Sequence, residues 1–347
     1  MAKITAKEIA EKLNLSPSAV SLALNNKPGV SENTRSRVLE AAMQMGYTKS
    51  SAPGTQLIDR TLCFIRYAGN IVKIAEHTSF SSFVLQGVES RANELGYKTQ
   101  VRYLHTGDMY NPQILDALRQ TDGIIFLGTD ITQTLLPEIE RLLVTLDSCP
   151  VVIVDSSLLS DRVDCVVNDC IGGARSAAEH LLKTGHKRIG YIRANQRIRN
   201  LDEREWGIRS ALDHSDASLI TIGADVSSEG AFLDLDAWIQ KADTLPDGIF
   251  ADNDILAAAA IRALKKNGYK VPGDVSVIGF DDIPTCELLD PPLTSVHAYK
   301  KELGAVAVDH LHRRIVRGEI PHQMSNIGLL TTTLSTRLIS RLSVRNR

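Results

Sequence analysis

Between residues 5 and 47, apolar positions recur at helical spacing in three short stretches. Thr5-Ala6-Lys7-Glu8 has the order of a capping box, in which the threonine hydroxyl accepts from the third helical amide and the glutamate reaches back to the cap. Ile9, Ala10 and Leu13 then share one face, and Asn14-Leu15 form a tight exit. Ser16-Pro17 follows, a cap with proline at the first helical position, so a second helix is predicted to about Asn25. Its packing stripe is Val20, Ala23 and Leu24; its outward stripe is Ser18, Ser21, Leu22 and Asn25. Ser31-Glu32 open a third helix that turns Val38, Leu39 and Ala42 inward and closes at Gly46. Three short helices with a tight first turn predict a helix-turn-helix module, whose second helix enters a DNA major groove.

The pattern changes after Tyr47. Thr48 to Gln56 is small and polar, the composition of a linker. From Thr61 onward, apolar β-rich runs alternate with amphipathic helical stretches. Strands are predicted at Leu62 to Ile65, Gly123 to Leu127, Val151 to Val154, Arg188 to Ile192, Gly248 to Phe250 and Val275 to Phe280. Helices are predicted at Phe83 to Leu95, Ile171 to Thr184 and Ile255 to Asn267, each followed by glycine. Alternating strands and helices imply parallel sheets, and a run this long favours two doubly wound layers sharing a cleft. In such folds ligands sit at the carboxyl ends of the strands.

Length and composition agree with this division. A chain of 347 residues exceeds what one core usually organises, and 43% hydrophobic with 23% charged residues is ordinary globular usage. The net charge of −2 is unevenly distributed: residues 1–60 hold eight Lys/Arg against five Asp/Glu, and the remainder 31 against 36. A small basic head on an acidic body points to a polyanionic partner for the head. No apolar run approaches the roughly 18 to 20 residues of a membrane span, and the first residues lack a signal peptide's apolar stretch, so a cytoplasmic protein without a membrane role is expected. Five scattered cysteines without a C-x-x-C pair read as buried thiols.

The motifs of catalysis are missing. There is no G-x-G pair, Walker A loop, G-x-S-x-G elbow or H-E-x-x-H spacing, and His310-Leu311-His312 reads as a solvated helix face. Neither a metal nor a cofactor is expected.

Several runs carry a family resemblance: Ile4 to Ala10, Leu15 to Ser21, Leu24-Asn25-Asn26, Val30 to Arg35, and Ala41 to Tyr47. In the body the runs are Gly172 to Leu181, Gly185 to Ile192, Asn253-Asp254, Ile261 to Leu264, Val271 to Asp282, and Pro291 to Val296. In order and spacing the chain resembles the lactose-repressor (LacI/GalR) family over nearly its whole length. The resemblance implies an all-α helix-turn-helix head plus an α/β effector domain made of two doubly wound parallel-sheet subdomains, periplasmic-binding-protein-like. It implies a DNA-binding domain over 1–47, a linker or hinge over 48–60, and an effector-binding and dimerisation domain over 61–347. Within the last, subdomain one is expected over 61–158 and 291–325, and subdomain two over 159–290 and 326–341.

The function implied is a homodimeric regulator of transcription, a repressor by expectation, that binds double-stranded operator DNA and answers to a small polar effector. A sugar is the first expectation; a nucleobase or amino-acid effector, or a solute-binding protein with no DNA role, are the alternatives. The DNA-facing set is Thr5, Ser16, Pro17, Ser18, Ser21, Leu22, Asn25, Lys27, Val30, Thr34, Arg35, Tyr47 and Leu57. The effector-binding set is Phe80, Asp155, Arg204, Asn253 and Asp281, in which the arginine offers a rigid fork of donors and the acids accept from hydroxyls. Three departures from the family stand out. Leu22 replaces a common arginine; the region of Val226 has no aromatic ring to stack a pyranose; and Pro53-Gly54, at costs of about 3 and 1 kcal/mol within a helix, argues against the short hinge helix that would carry Leu57 into a minor groove.

Overall fold

The structure is a computed structural model describing residues 6–24, 29–45, 60–67, 79–105, 107–146, 148–213, 215–320, 324 and 328–347. It divides into two compact units, Met1–Ile58 and Asp59–Arg347. In the first unit α1 (Ala6–Leu13), α2 (Pro17–Leu24) and α3 (Glu32–Gln44) close around Ile9, Val20, Ala23 and Val38. The exit from α1 works because Asn14 takes φ 53°, a left-handed conformation asparagine tolerates, while Leu15 N–H donates back to the Ala10 carbonyl. Ser16 caps α2, its Oγ accepting from Ala19 N at 3.2 Å, and Ser31 caps α3 by accepting from Thr34 N at 3.2 Å. The expected cap at Thr5 and closing Gly46, the site residues Asn25, Lys27, Tyr47 and Leu57, and the linker up to residue 59 lie outside the described residues.

The second unit consists of two lobes of identical strand order. In lobe one, β1 (Thr61–Tyr67), β2 (Lys98–Leu104), β3 (Gly123–Leu127), β4 (Val151–Val154), β5 (Asp164–Asn168) and β11 (Thr331–Leu334) lie in the order β2-β1-β3-β4-β5-β11, parallel throughout. In lobe two, β6 (Arg188–Ala194), β7 (Ser218–Ala224), β8 (Gly248–Ala251), β9 (Ser276–Asp281), β10 (Thr294–His297) and β12 (Arg337–Ile339) lie in the order β7-β6-β8-β9-β10-β12, with β12 antiparallel. The central strands β3, β4, β8 and β9 are buried at every position, which is why they read as unbroken apolar runs.

Helices cover both faces. Lobe one carries α4 (Phe80–Glu94), α5 (Pro112–Arg119), α6 (Leu136–Thr145) and, late in the chain, α12 (Lys300–Arg317), which packs on α4. Lobe two carries α7 (Cys170–Lys183), α8 (Arg199–Leu212), α9 (Ser228–Lys241), α10 (Asp254–Lys266) and the single turn α11 (Thr285–Leu288). The α4–α12 contact is close because of Gly87 and Gly304: a Cβ on Gly87 would stand 1.9 Å from the Lys301 carbonyl oxygen, and one on Gly304 2.2 Å from that of Val84.

The chain passes between lobes later than the expected boundaries at 158, 290 and 325. β5 pairs in parallel with β4, so the first passage is at Asp169. β10 pairs with β9 inside lobe two, moving the second to Ala298-Tyr299, and β11 pairs with β5, moving the third to Ser335-Thr336. Strand pairing decides these points, and the short strands responsible carry no strong apolar run. His310 and His312 also differ from expectation: both are half-buried, His310 Nε2 bonding Thr332 Oγ1 at 3.0 Å and His312 Nδ1 bonding Tyr97 Oη at 2.8 Å.

All five cysteines are buried and unpaired, and burial pushes the thiols of Cys149, Cys165 and Cys170 up to about 12. Among the described residues no helix is long and apolar enough to cross a membrane.

Candidate effector site and DNA-facing helix

Matched topology puts matched residues at the strand ends. Asp155 follows β4 and Asp281 ends β9, the fourth strand of each lobe counted in chain order. Both have positive φ, 65° and 100°, uncommon for a residue with a Cβ and held there by the surrounding structure. Thr129 follows β3 as Asn253 follows β8, each after one intervening residue.

Arg204 is the centre of the group. It lies on the buried face of α8, 5% exposed, and its Nη2 donates to Asp281 Oδ1 at 2.9 Å. Its Nη1 donates to the Asp252 carbonyl, and the guanidinium stacks 3.8 Å over the Phe280 ring centroid. Its Nε is buried without a hydrogen-bond partner. Burial alone would lower the pKa of Arg204, but the carboxylates, Asp281 first and then Asp252 and Asp155, hold it above its ordinary value.

On the opposing lobe, burial pushes the Asp155 carboxyl up to about 7, against the pull of Thr129 Oγ1, which donates to its Oδ2 at 2.7 Å, and of Arg204 nearby. The main-chain oxygen of Asp155 accepts from Asn200 Nδ2 at 3.0 Å, joining the first turn of α8 to lobe one. Asn253 caps α10, its Oδ1 accepting from Leu256 N at 3.0 Å. The structure thus brings Asp155, Arg204 and Asp281 together and sets Asn253 next to the carbonyl that Arg204 holds. Phe80, the first residue of α4, is packed in the apolar core.

Sequence reasoning passed over several groups here. Asp252, fully buried, accepts from Tyr191 Oη at 2.5 Å and from Arg197 Nη1 at 2.6 Å, fixing the carbonyl that orients Arg204. Asp254 accepts from Ser295 Oγ at 2.6 Å and from Ile283 N at 2.9 Å; burial, with Asp281 adding to it, pushes it up to about 7. Lys300 is buried at the second passage, donating to the carbonyls of Asp281 and, at 3.1 Å, Ala298. Only the acidic run Asp252-Asn253-Asp254 carried a signal, since three polar residues directly after an apolar strand mark a strand end.

The arrangement has the groups of a binding site. It offers a fixed fork of donors, carboxyl oxygens from both lobes and a buried aromatic floor, the inventory for ordering hydroxyl or amide groups. Cys170, the nucleophile nearest Arg204, is a neutral buried thiol.

In the head, Ser16, Pro17, Ser18 and Ser21 are exposed, with Ser16 Oγ 2.9 Å from Ser18 Oγ. Leu22 is half-buried, its Cδ1 lying 3.1 Å from where a Cβ on Gly29, φ 119°, would stand. Val30, Thr34 and Arg35 are half-buried as well.

A three-helix head in one chain with a two-lobed receptor whose charged groups meet between the lobes defines a ligand-responsive DNA-binding regulator. Comparison with known proteins agrees. Residues 5–50 match the bacterial regulatory proteins of the lacI family, and residues 178–344 match the periplasmic binding protein-like domain. The HTH-type transcriptional repressor PurR of Vibrio parahaemolyticus is 30% identical over 321 residues, covering 90% of this chain and 92% of the relative. The transcriptional regulator CelR in complex with cellobiose is similar in structure at TM-score 0.69 and 25% identity, covering 98% of this chain and all of that one. The lac repressor dimer bound to operator and the anti-inducer ONPF has the same fold at TM-score 0.67 and 21% identity, over 99% of this chain and 100% of that one. The chain belongs to the LacI family of bacterial regulatory proteins. It is a DNA-binding transcriptional regulator and not an enzyme. Members of the family bind operator DNA and a small effector and act as dimers.

Proposed function

We propose that this protein is a cytoplasmic repressor that binds an operator as a dimer and changes its affinity when a sugar or sugar derivative enters between its lobes. Asp155, Arg204, Asn253 and Asp281 hold the effector, with Phe80 behind them at the head of α4. Ser16, Ser18 and Ser21 on α2 face the bases, Leu22 lies at the edge of that surface, and Lys27 and Arg35 contact phosphates. Pro17, Val30 and Thr34 shape the same face, and Thr5, Asn25, Tyr47 and Leu57, which lie outside the described residues, are assigned to DNA contact from the family resemblance.

One observation carries the effector reading. Arg204 Nε is a buried donor without a partner amid three carboxyls, and an unmet buried donor costs about 1–3 kcal/mol, a cost that a ligand oxygen at this position removes. The cellobiose named with CelR and the operator named with the lac repressor support the two halves of the reading. A nucleobase is the second reading, favoured by the relatives that bear the name PurR. Gel shifts of the full chain on fragments flanking its own gene, with and without sugars and nucleobases, test the proposal. A retarded band that no small molecule alters would remove the effector half; no retarded band would remove the DNA half.

A further inference from the structure

The unmet Arg204 Nε has a counterpart on the opposite lobe. Asn168, 4% exposed, ends β5, and its Oδ1 is buried without a hydrogen-bond partner. An unmet buried acceptor weakens the fold that carries it, so its presence calls for a reason other than folding.

Its surroundings place it at the site. Side chains alternate across a strand, so Asp164, Val166 and Asn168 share one face of β5. On that face Asp164 is bound by Arg314 of α12, and Val166 packs in the apolar cluster that includes Phe80, Cys170 and Phe280. Asn168 comes next, at the carboxyl end of the strand, and the Val166 carbonyl accepts from Asp155 N at 2.8 Å, which sets the two strand ends side by side. Two members of the cluster are neighbours of Arg204. Its guanidinium stacks on Phe280; burial raises the Cys170 thiol, two residues after Asn168, and the guanidinium beside it pulls the other way.

The two unmet groups are opposite in kind: an arginine Nε only donates, and an amide oxygen only accepts. A ligand meets both if it carries a donor as well as an acceptor, as hydroxyls and lactams do. A fully ionised carboxylate or phosphate is all acceptor and satisfies Arg204 alone.

We propose that Asn168 is a further effector-binding residue: its amide oxygen selects a ligand with a hydroxyl or N–H group toward lobe one and an oxygen toward Arg204 Nε on lobe two. This rests on the effector reading above and adds to it the requirement for a donor.

Leucine has the branching of asparagine without its polar atoms, and valine is smaller, so Asn168→Leu and Asn168→Val both remove an unmet group from the ligand-free protein. The urea midpoint of at least one variant should equal or exceed that of the wild type, whereas a residue that holds the fold together would lower both. Gel shifts of the full chain on fragments flanking its own gene are then run with glucose, galactose, ribose, cellobiose, adenine and guanine. The molecule that alters the wild-type shift should act on that variant only at about tenfold higher concentration, the loss of one hydrogen bond, with DNA affinity in its absence within about twofold. Lower midpoints for both variants, or an unchanged dose response, overturn the role of Asn168 and leave the effector reading standing. A wild-type shift that no molecule of the panel alters overturns the effector reading and this one with it.

Discussion

Asn200 Nδ2 donates to the main-chain oxygen of Asp155 at 3.0 Å, a bond made from the first turn of one lobe's helix to the strand end of the other. Asn200 is 7% exposed, so the bond is sheltered from water and the carbonyl has no ready solvent substitute. Asn200→Ala should therefore cost about 1–3 kcal/mol of stability in urea unfolding and speed amide exchange around residues 155–158. A loss below about 0.5 kcal/mol, the level of an ordinary surface change, with unchanged exchange would show that the contact holds nothing together.

The Arg204–Asp281 pair is buried on both sides, so removing one partner leaves a charge without compensation. Arg204→Ala should destabilise by about 3–5 kcal/mol, and the double variant Arg204→Met with Asp281→Asn should regain a large part of that loss. Denaturant midpoints of the single and double variants check this. Additive losses would mean that the two residues are not coupled.

Asp155 gives the protein a pH signature. Its folded pKa of about 7 stands above the unfolded value of about 3.9. The folded state therefore binds the proton more tightly, and stability falls as pH rises through the window from about 4 to about 7. Asp254, also near 7, adds to the same slope. Asp155→Asn should flatten the slope and make the protein more stable than wild type at pH 8. If the variant keeps the wild-type slope between pH 5 and pH 7, the carboxyl is ionised throughout that range.

On DNA, Leu22→Arg should change the preferred base at one symmetric pair of operator positions, because arginine reads guanine through two acceptors whereas leucine offers only apolar contact. Selection of binding sites from a random pool shows the change; identical selected sequences would place Leu22 inside the head, consistent with its contact to Gly29. Arg35→Ala should instead weaken binding on all sequences and lower the salt slope by about one.

For the linker, Leu57→Ala should reduce operator affinity by less than about 1 kcal/mol, since a Pro-Gly segment disfavours the helix that would insert the leucine. A larger loss accompanied by reduced DNA bending would establish an inserted leucine.

The sequence was most readable where one force dominated. Val151 to Val154 and Gly123 to Leu127 are buried on both faces, so apolar runs and observed strands coincide. β2 and β7 lie at sheet edges with mixed exposure, and Lys98-Thr99-Gln100 has no pattern to separate it from a loop. β11 and β12 exist because neighbouring strands offer them partners, a cause that no local pattern records. At the site, Arg204 and Asp281 were legible through family spacing, whereas Asn200, Lys300 and Thr129 hold main-chain or side-chain partners far away in sequence. Phe80 was placed by family position alone, and its ring packs in the same buried cluster as Phe280.

The three passages between lobes contain one, two and two residues, and Thr336 Oγ1 in the third donates to the Asp169 carbonyl in the first at 3.1 Å. At roughly 3.3–3.6 Å per extended residue, none of these tethers permits the lobes to separate bodily. All three lie on the β5–β11 and β10–β12 side, so the lobes are tied together along that edge alone, and the β2 and β7 margins stand farthest from any covalent tie.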